Sequence, residues 1–161
     1  MAIDSETLRA VMRHWTTGVT ILTARDGAHA HGMTVNSFTS VSLEPPLVLV
    51  SLERNTRTHA LVEHSRAFAI SILGEHQSAL SDHFAGRLTE TTDRLDGLST
   101  HTALTGAPIL RDNIGYLDCR VVAAHPAGTH TLFIAEVVAA QSASEAPPLI
   151  YFNRGYRSLA L

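Results

Sequence analysis

Apolar and polar residues alternate in several short stretches of the chain, and this pattern predicts a structure made mainly of strands. The stretch GVTILTA, residues 18–24, has the alternation typical of a strand with one buried face. Because helices do not alternate strictly with the strands, the pattern favours a small closed or split barrel over βαβ units. The other predicted strands are 31–43, 47–52, 68–73, 114–124, 131–140 and 149–152.

Helical spacing of apolar residues is limited to a few segments. The first begins at Asp4 or Ser5, either of which can cap the N-terminus of a helix. Residues 86–106 are rich in Thr, Asp, Gly and Ser, and they form a long irregular connection of the kind that is usually functional or acts as a lid. Helices are predicted at 4–14, 58–64 and 75–85.

The stretch GMTVNSFTSVSLEPP, residues 32–46, begins as an alternating strand and then loses its period at Asn36-Ser37. A local break in a strand frees backbone N–H groups to face a ligand. Together with the Ser and Thr hydroxyls, such groups can bind a polar-edged ring or a phosphate without carrying charge. The alternative is an edge strand with a solvated face, where Ser and Thr are common.

A second polar patch, SLERNTRTH at residues 51–59, follows a predicted strand and begins a helix. Exposed N–H groups at a helix N-terminus favour anions, and Arg54 or Arg57 can add a bidentate phosphate contact. An ordinary helix cap with exposed arginines explains the patch equally well. Taken together, the two patches suit a phosphorylated cofactor that carries a ring.

Composition excludes several classes of protein. The formal net charge of −3 and a pI near 6.3 argue against a nucleic-acid or anionic-membrane partner. Cys119 is the single cysteine and cannot form an internal disulfide, which fits a reducing compartment. No apolar run is long enough for a membrane span, and no signal peptide is visible. We therefore expect a cytoplasmic protein of one domain, residues 1–161.

Other candidate chemistry is sparse in the sequence. His29 and His31 form an H-x-H pair, but no ligand partner accompanies them at metal-site spacing, so no metal is predicted. Cys119 lies in a predicted strand, where a small core residue is the simplest interpretation. His130 starts a strand after a turn, a position that suits either a ligand contact or a turn cap. Nucleophile-elbow, P-loop, C-x-x-C and G-x-G-x-x-G motifs are absent.

A series of motifs, in order along the chain, resembles the flavin reductase family with the FMN-binding split-barrel fold. Members of that family are small reductase components of two-component flavin-dependent monooxygenases and are typically homodimers. The resemblance therefore implies a mainly β split barrel, Greek-key-like, with a few flanking helices. It rests on GVTILTA (18–24), GMTVNSFTSVSLEPPLVLVSL (32–52), RTHALVEHSRAFAISIL (57–73), LSDHFAG (80–86), DRLDGL (93–98), TGAPIL (105–110), YLDCRV (116–121), GTHTLFIAEV (128–137) and LIYFNRGYRSL (149–159).

The resemblance also implies site residues. For the nicotinamide it implies His130 and Tyr156. The family usually has Gly-Asp-His where this chain has Thr129 before the histidine, and Trp15 replaces the usual Phe-Pro. For the flavin it implies Thr34, Val35, Asn36, Ser37, Ser40, Ser42, Ser51, Leu52, Asn55, Thr58 and Phe84.

The expected activity is NAD(P)H:flavin oxidoreduction. In such a reaction hydride passes between the two cofactors, FMN or FAD and NADH or NADPH, so no catalytic side chain is predicted. The reduced flavin would go to a partner monooxygenase. A flavin- or haem-binding carrier or sensor without turnover is the alternative, and a histidine-based metal hydrolase is a third possibility.

Overall fold

Strands dominate the computed structural model, which describes residues 2–87 and 93–159. The helices are α1 (Ser5–Met12), α2 (Arg57–Ser65) and α3 (Ser78–Phe84). The strands are β1 (Thr17–Gly18), β2 (Thr20–Asp26), β3 (His29–Val35), β4 (Phe38–Leu43), β5 (Pro46–Glu53), β6 (Ala67–Ile72), β7 (Thr100–His101), β8 (Ile109–Leu110), β9 (Gly115–Ala127), β10 (His130–Ser142), β11 (Ile150–Phe152) and β12 (Gly155–Arg157).

The main sheet curls into a split barrel. Its antiparallel strands run in the order β3-β2-β6-β9-β10-β5-β4, so the consecutive strands β3 and β4 lie at opposite edges. Only Asn36 and Ser37 join them, and three Cα–Cα steps span at most about 11 Å. The two edges must therefore approach each other, and the Ser51 amide donates to the Ser37 carbonyl at the junction. This arrangement, with three flanking helices, confirms the predicted mainly β class and barrel.

The boundaries of some elements differ from the sequence prediction. The strand region predicted at 31–43, with its break at Asn36-Ser37, forms two strands, because the chain leaves one edge of the sheet after Val35 and enters the other at Phe38. The predicted loop 86–106 lies partly outside the described residues, and its described part contains β7. The hairpin of β11 and β12, which packs beside β1 in a second sheet, was not predicted beyond β11.

A buried apolar core fills the barrel and is extended by α2. Leu22, Phe68 and Phe133 are fully buried on β2, β6 and β10. A second cluster brings Phe84 of α3 and Leu149 together with Ile21 of β2. Burial of large apolar side chains from neighbouring strands is the main term that stabilises such a sheet.

The first helix is capped but not buried. Asp4 accepts a hydrogen bond from the Thr7 amide at 2.8 Å, which lowers the pKa of its carboxyl and confirms the N-cap predicted at Asp4. None of its residues is buried, although Leu8, Val11 and Met12 are apolar. The apolar side of α1 is thus exposed in the single chain.

Cys119 lies fully buried on β9, and burial raises the pKa of its thiol from 9.0 to about 12. Below pH 9.0 the thiol is neutral in both states, whereas between pH 9.0 and about 12 only the unfolded chain ionises. The free energy of unfolding should therefore fall as pH rises through this window, by up to ~1.4 kcal/mol per pH unit. Urea unfolding should show a steeper slope in this window for the wild type than for Cys119→Ala, because the variant keeps only the contribution of other groups such as Tyr156; equal slopes would contradict this assignment.

The part of the chain that the structure describes contains no helix long and apolar enough to cross a membrane.

Candidate functional site

A cleft opens where the chain passes from β3 to β4. One compartment, of about 200 Å³, is lined by Thr34 and Asn36 from this junction and by Ser81 and Tyr156 from α3 and β12. A second, of about 480 Å³, shares Asn36 and extends to α1 and the β11–β12 turn. A third, of about 300 Å³, again includes Asn36. Asn36 is therefore the residue at which the compartments of the cleft meet.

The polar side chains beside Asn36 are held by backbone contacts. Thr34 Oγ1 donates to the Ser81 carbonyl at 2.6 Å, and Ser37 Oγ donates to the Ser51 carbonyl at 2.7 Å. These bonds fix the wall on either side of the junction. The side chain of Asn36 is exposed and makes no hydrogen bond within the described residues. Its carboxamide NH₂ donors and its oxygen acceptor are therefore available to a ligand.

A hydrogen-bonded network forms the opposite wall. The Tyr156 hydroxyl donates to Asp82 Oδ1 at 2.7 Å and lies 2.9 Å from Ser81 Oγ. Burial and the Asp82 contact raise the pKa of Tyr156. Arg87 lies 3.1 Å from Asp82 and donates to the Tyr151 hydroxyl, which raises the pKa of the guanidinium. Tyr156 is thus a neutral group with a fixed orientation at the edge of the cleft.

We expect Tyr156→Phe to lower the free energy of unfolding by about 1–2 kcal/mol, because the ring is kept and a hydrogen bond to a carboxylate is lost. Urea denaturation measures the change. Tyr116→Phe is the matched control, since the Tyr116 hydroxyl makes no hydrogen bond in the described chain. Equal effects of the two substitutions would refute the role given to the Tyr156–Asp82 bond.

The structure brings together only some of the site residues implied by the resemblance. Thr34, Asn36, Ser37 and Tyr156 line the cleft, and Val35 lines its third compartment while its side chain is buried. The remaining residues lie outside these three compartments. They are Ser40 and Ser42 on edge strand β4, Ser51 and Leu52 on β5, Asn55 before α2, Thr58 in α2, Phe84 in α3 and His130 at the start of β10.

Several of these outlying residues have a structural role in the single chain. Thr58 is fully buried and bonds His31 Nδ1 at 2.8 Å, while Phe84 and Leu52 are fully buried apolar side chains. His130 is half-buried, and its Nδ1 lies 2.9 Å from Thr129 Oγ1. Backbone and side-chain donors of Arg54 bind the Thr129 and Gly128 carbonyls, so the 51–58 patch supports the turn before His130.

Sequence reasoning missed most of the residues on the far side of the cleft. Arg87, Arg9 and Arg13 lie outside the quoted motifs, and Tyr151, which lies within LIYFNRGYRSL, was given no role. Trp15 was noted only as unusual. The signal that could have found the arginines was their placement near both ends of a chain with net charge −3.

Within the described residues, no group of three or more His, Cys, Asp or Glu side chains could hold a metal ion.

Comparison with known proteins identifies the family. The family model described as "Flavin reductase like domain" matches residues 12–160. The chain is 36% identical over 96% of its length, and 96% of the relative's, to the reductase component of 4-hydroxyphenylacetate 3-monooxygenase from Thermus thermophilus. It is 38% identical to the NADH-dependent flavin reductase StyB from Pseudomonas fluorescens, covering 99% of this chain and 92% of StyB.

Solved structures of similar fold are also flavin reductases. Flavin reductase PheA2 superposes with a TM-score of 0.90 at 37% identity, covering 99% of this chain and 100% of PheA2. The flavin reductase of styrene monooxygenase from Pseudomonas putida S12 gives a TM-score of 0.85 at 35% identity, over 96% and 98% of the two chains. The family and fold predicted from the sequence are confirmed: the chain belongs to the flavin reductase family.

Proposed function

We propose that this protein uses NADH to reduce a flavin and supplies the reduced flavin to a separate monooxygenase. The observation that carries the proposal is family membership over nearly the whole chain, joined to a polar cleft whose wall at the β3–β4 junction is uncharged. Relatives named NADH-dependent flavin reductases support the reduction of flavin by NADH, and relatives named monooxygenase reductase components support the supply of reduced flavin to a monooxygenase. The oxidoreductase prediction is confirmed, and the carrier alternative is not favoured.

The residues of the cleft suit an uncharged, polar-edged ring. Asn36 offers an amide without an internal partner, and Thr34 and Ser37 add hydroxyl oxygens on either side of it. The bound flavin supplies the chemistry, because it accepts hydride from a dihydronicotinamide. The protein contributes orientation and preorganised dipoles, and Thr34, Asn36 and Ser37 do so without adding a charge that would hold the product.

We extend this proposal to the other residues that the resemblance implies. Val35 and Leu52 would contact the flavin through their backbones, because their side chains are buried. His130 and Tyr156 would border the nicotinamide. Ser40, Ser42, Ser51, Asn55, Thr58 and Phe84 would complete the surroundings of the flavin.

Anaerobic mixing of the purified protein with NADH and either FMN or FAD tests the activity. We expect the visible absorbance of the flavin to bleach with multiple turnovers. Omitting the protein and replacing NADH with NAD⁺ are the controls. Absence of bleaching with NADH and with NADPH would refute the reductase proposal.

We also propose that residues 1–161 act as a single cytoplasmic domain that forms a homodimer. Leu8 and Val11 of α1 and the edge strand β4, with Val41 49% and Leu43 85% exposed, are surfaces that a second copy could cover. Cys119 is a free thiol, which fits a reducing compartment. Sedimentation as a monomer at micromolar concentration would contradict the dimer.

A further inference from the structure

The larger compartment of the cleft has an arginine-rich wall. Arg9 and Arg13 reach it from α1, and Arg154 reaches it from the β11–β12 turn. The Asn153 amide donates to the Arg13 carbonyl at 3.1 Å, so the end of the helix and the turn are tied together. Three guanidinium groups therefore face one cavity from two elements that are fixed against each other.

The charge of this wall is not balanced locally. No Asp or Glu is among the residues that line the cavity. Among the described residues, none of the three arginines forms an ion pair. Arg13 Nε and Thr17 Oγ1 are buried without a hydrogen-bond partner there, although both residues line the cavity. Unpaired buried donors are costly, so this wall lacks an acceptor that an anion would provide.

Two aromatic side chains complete the cavity. The Trp15 indole is 68% exposed and lines it, together with Tyr151. Guanidinium groups bind phosphate oxygens bidentately, and exposed aromatic faces stack on heterocyclic bases. A volume of about 480 Å³ is within the usual size of small-molecule sites.

We propose that this compartment binds the adenosine monophosphate half of a dinucleotide whose redox ring lies in the adjoining compartment. Asn36 lines both spaces, so one ligand can extend from the ring site to the arginines. FAD and NADH share this AMP half, which FMN and reduced nicotinamide mononucleotide lack, and the test distinguishes the two dinucleotides. The inference rests on the proposed function and adds to it a reason for preferring dinucleotides over mononucleotides.

The test uses Arg13→Gln and Arg154→Gln, which remove charge with little change in length. The matched control is Arg120→Gln, an exposed arginine on β9 outside the cavity. If the adenosine group that binds in the cavity belongs to FAD, KM for FAD should rise about 10-fold in the two variants, while KM for FMN should not change. If that adenosine group belongs to NADH, KM for NADH with FMN as acceptor should rise by a similar factor, while KM for reduced nicotinamide mononucleotide should not change.

Calorimetric titration with AMP, the group that the mononucleotides lack, provides a readout that does not depend on activity. Wild type and Arg120→Gln should bind AMP, and each cavity variant should bind it at least about 10-fold more weakly. Unchanged AMP binding, or equal losses for mononucleotides and dinucleotides, would overturn the inference. If AMP binds as expected but no flavin is reduced, the proposed function fails and the site remains. Circular dichroism checks that each variant is folded. If Arg13→Gln does not fold, the result for Arg154→Gln tests the inference alone.

Discussion

Asn36→Asp should lower kcat/KM for flavin reduction about 100-fold, equivalent to ~2.7 kcal/mol of lost transition-state stabilisation. The substitution keeps the size of the side chain but places a carboxylate where the compartments of the cleft meet. Reduction increases negative charge on the flavin ring, and a fixed negative charge beside it opposes that change. Steady-state kinetics with NADH and FMN measure the effect.

Asn36→Ser separates charge from loss of the amide. It removes the side-chain amide but leaves position 36 uncharged, so we expect a loss of only about 10-fold. Equal rates for Asn36→Asp and wild type would contradict the idea that the cleft must be uncharged at this position. Equal losses in the two variants would show that the amide matters and the charge does not.

Asp118→Ala should lower the free energy of unfolding by about 3–5 kcal/mol. The Asp118 carboxylate on β9 is fully buried and accepts hydrogen bonds from the Leu104 amide at 2.7 Å and the Thr105 amide at 2.8 Å. It also accepts from the Thr105 hydroxyl. Alanine would leave these donors without their acceptor and detach the segment before Ala107 from the sheet. Urea denaturation measures the loss.

The exposed Asp112 provides the control for this substitution. Its carboxylate lies 3.8 Å from His76, and both side chains are mostly exposed, so Asp112→Ala should change stability by no more than about 0.5 kcal/mol. Asp118→Asn should give an intermediate loss, because the amide oxygen still accepts one bond. Similar values for Asp112→Ala and Asp118→Ala would refute the role assigned to the buried carboxylate.

The fold was largely predictable because local patterns and global packing agree along most of the chain. Strands β2, β5 and β6 follow from the alternation or continuity of apolar residues, and Asp4 marked the start of α1. The polar pair at Asn36-Ser37 was recognised as a break in the strand. The break did not show that β3 and β4 lie on opposite edges of the sheet. The order of the strands depends on pairing between segments that are distant in sequence.

The site was predictable mainly on the wall formed by one sequence segment, and on the opposite wall only Tyr156 was implied, through the resemblance. Thr34, Asn36 and Ser37 are adjacent in sequence, so a single segment identifies that wall of the cleft. The opposite wall combines Arg87 on the chain after α3 with Tyr151 on β11, and only folding brings such distant residues together. Charged residues of this kind are also common on solvated surfaces, which gives them no distinctive local pattern.

The account depends most on the claim that a flavin ring binds at the β3–β4 junction. A crystal structure of the protein with FMN tests it directly. We expect the ring in the compartment between Asn36 and Tyr156, with polar contacts to Thr34, Asn36 or Ser37. A well-ordered flavin bound elsewhere, with these three side chains facing only water, would contradict the account.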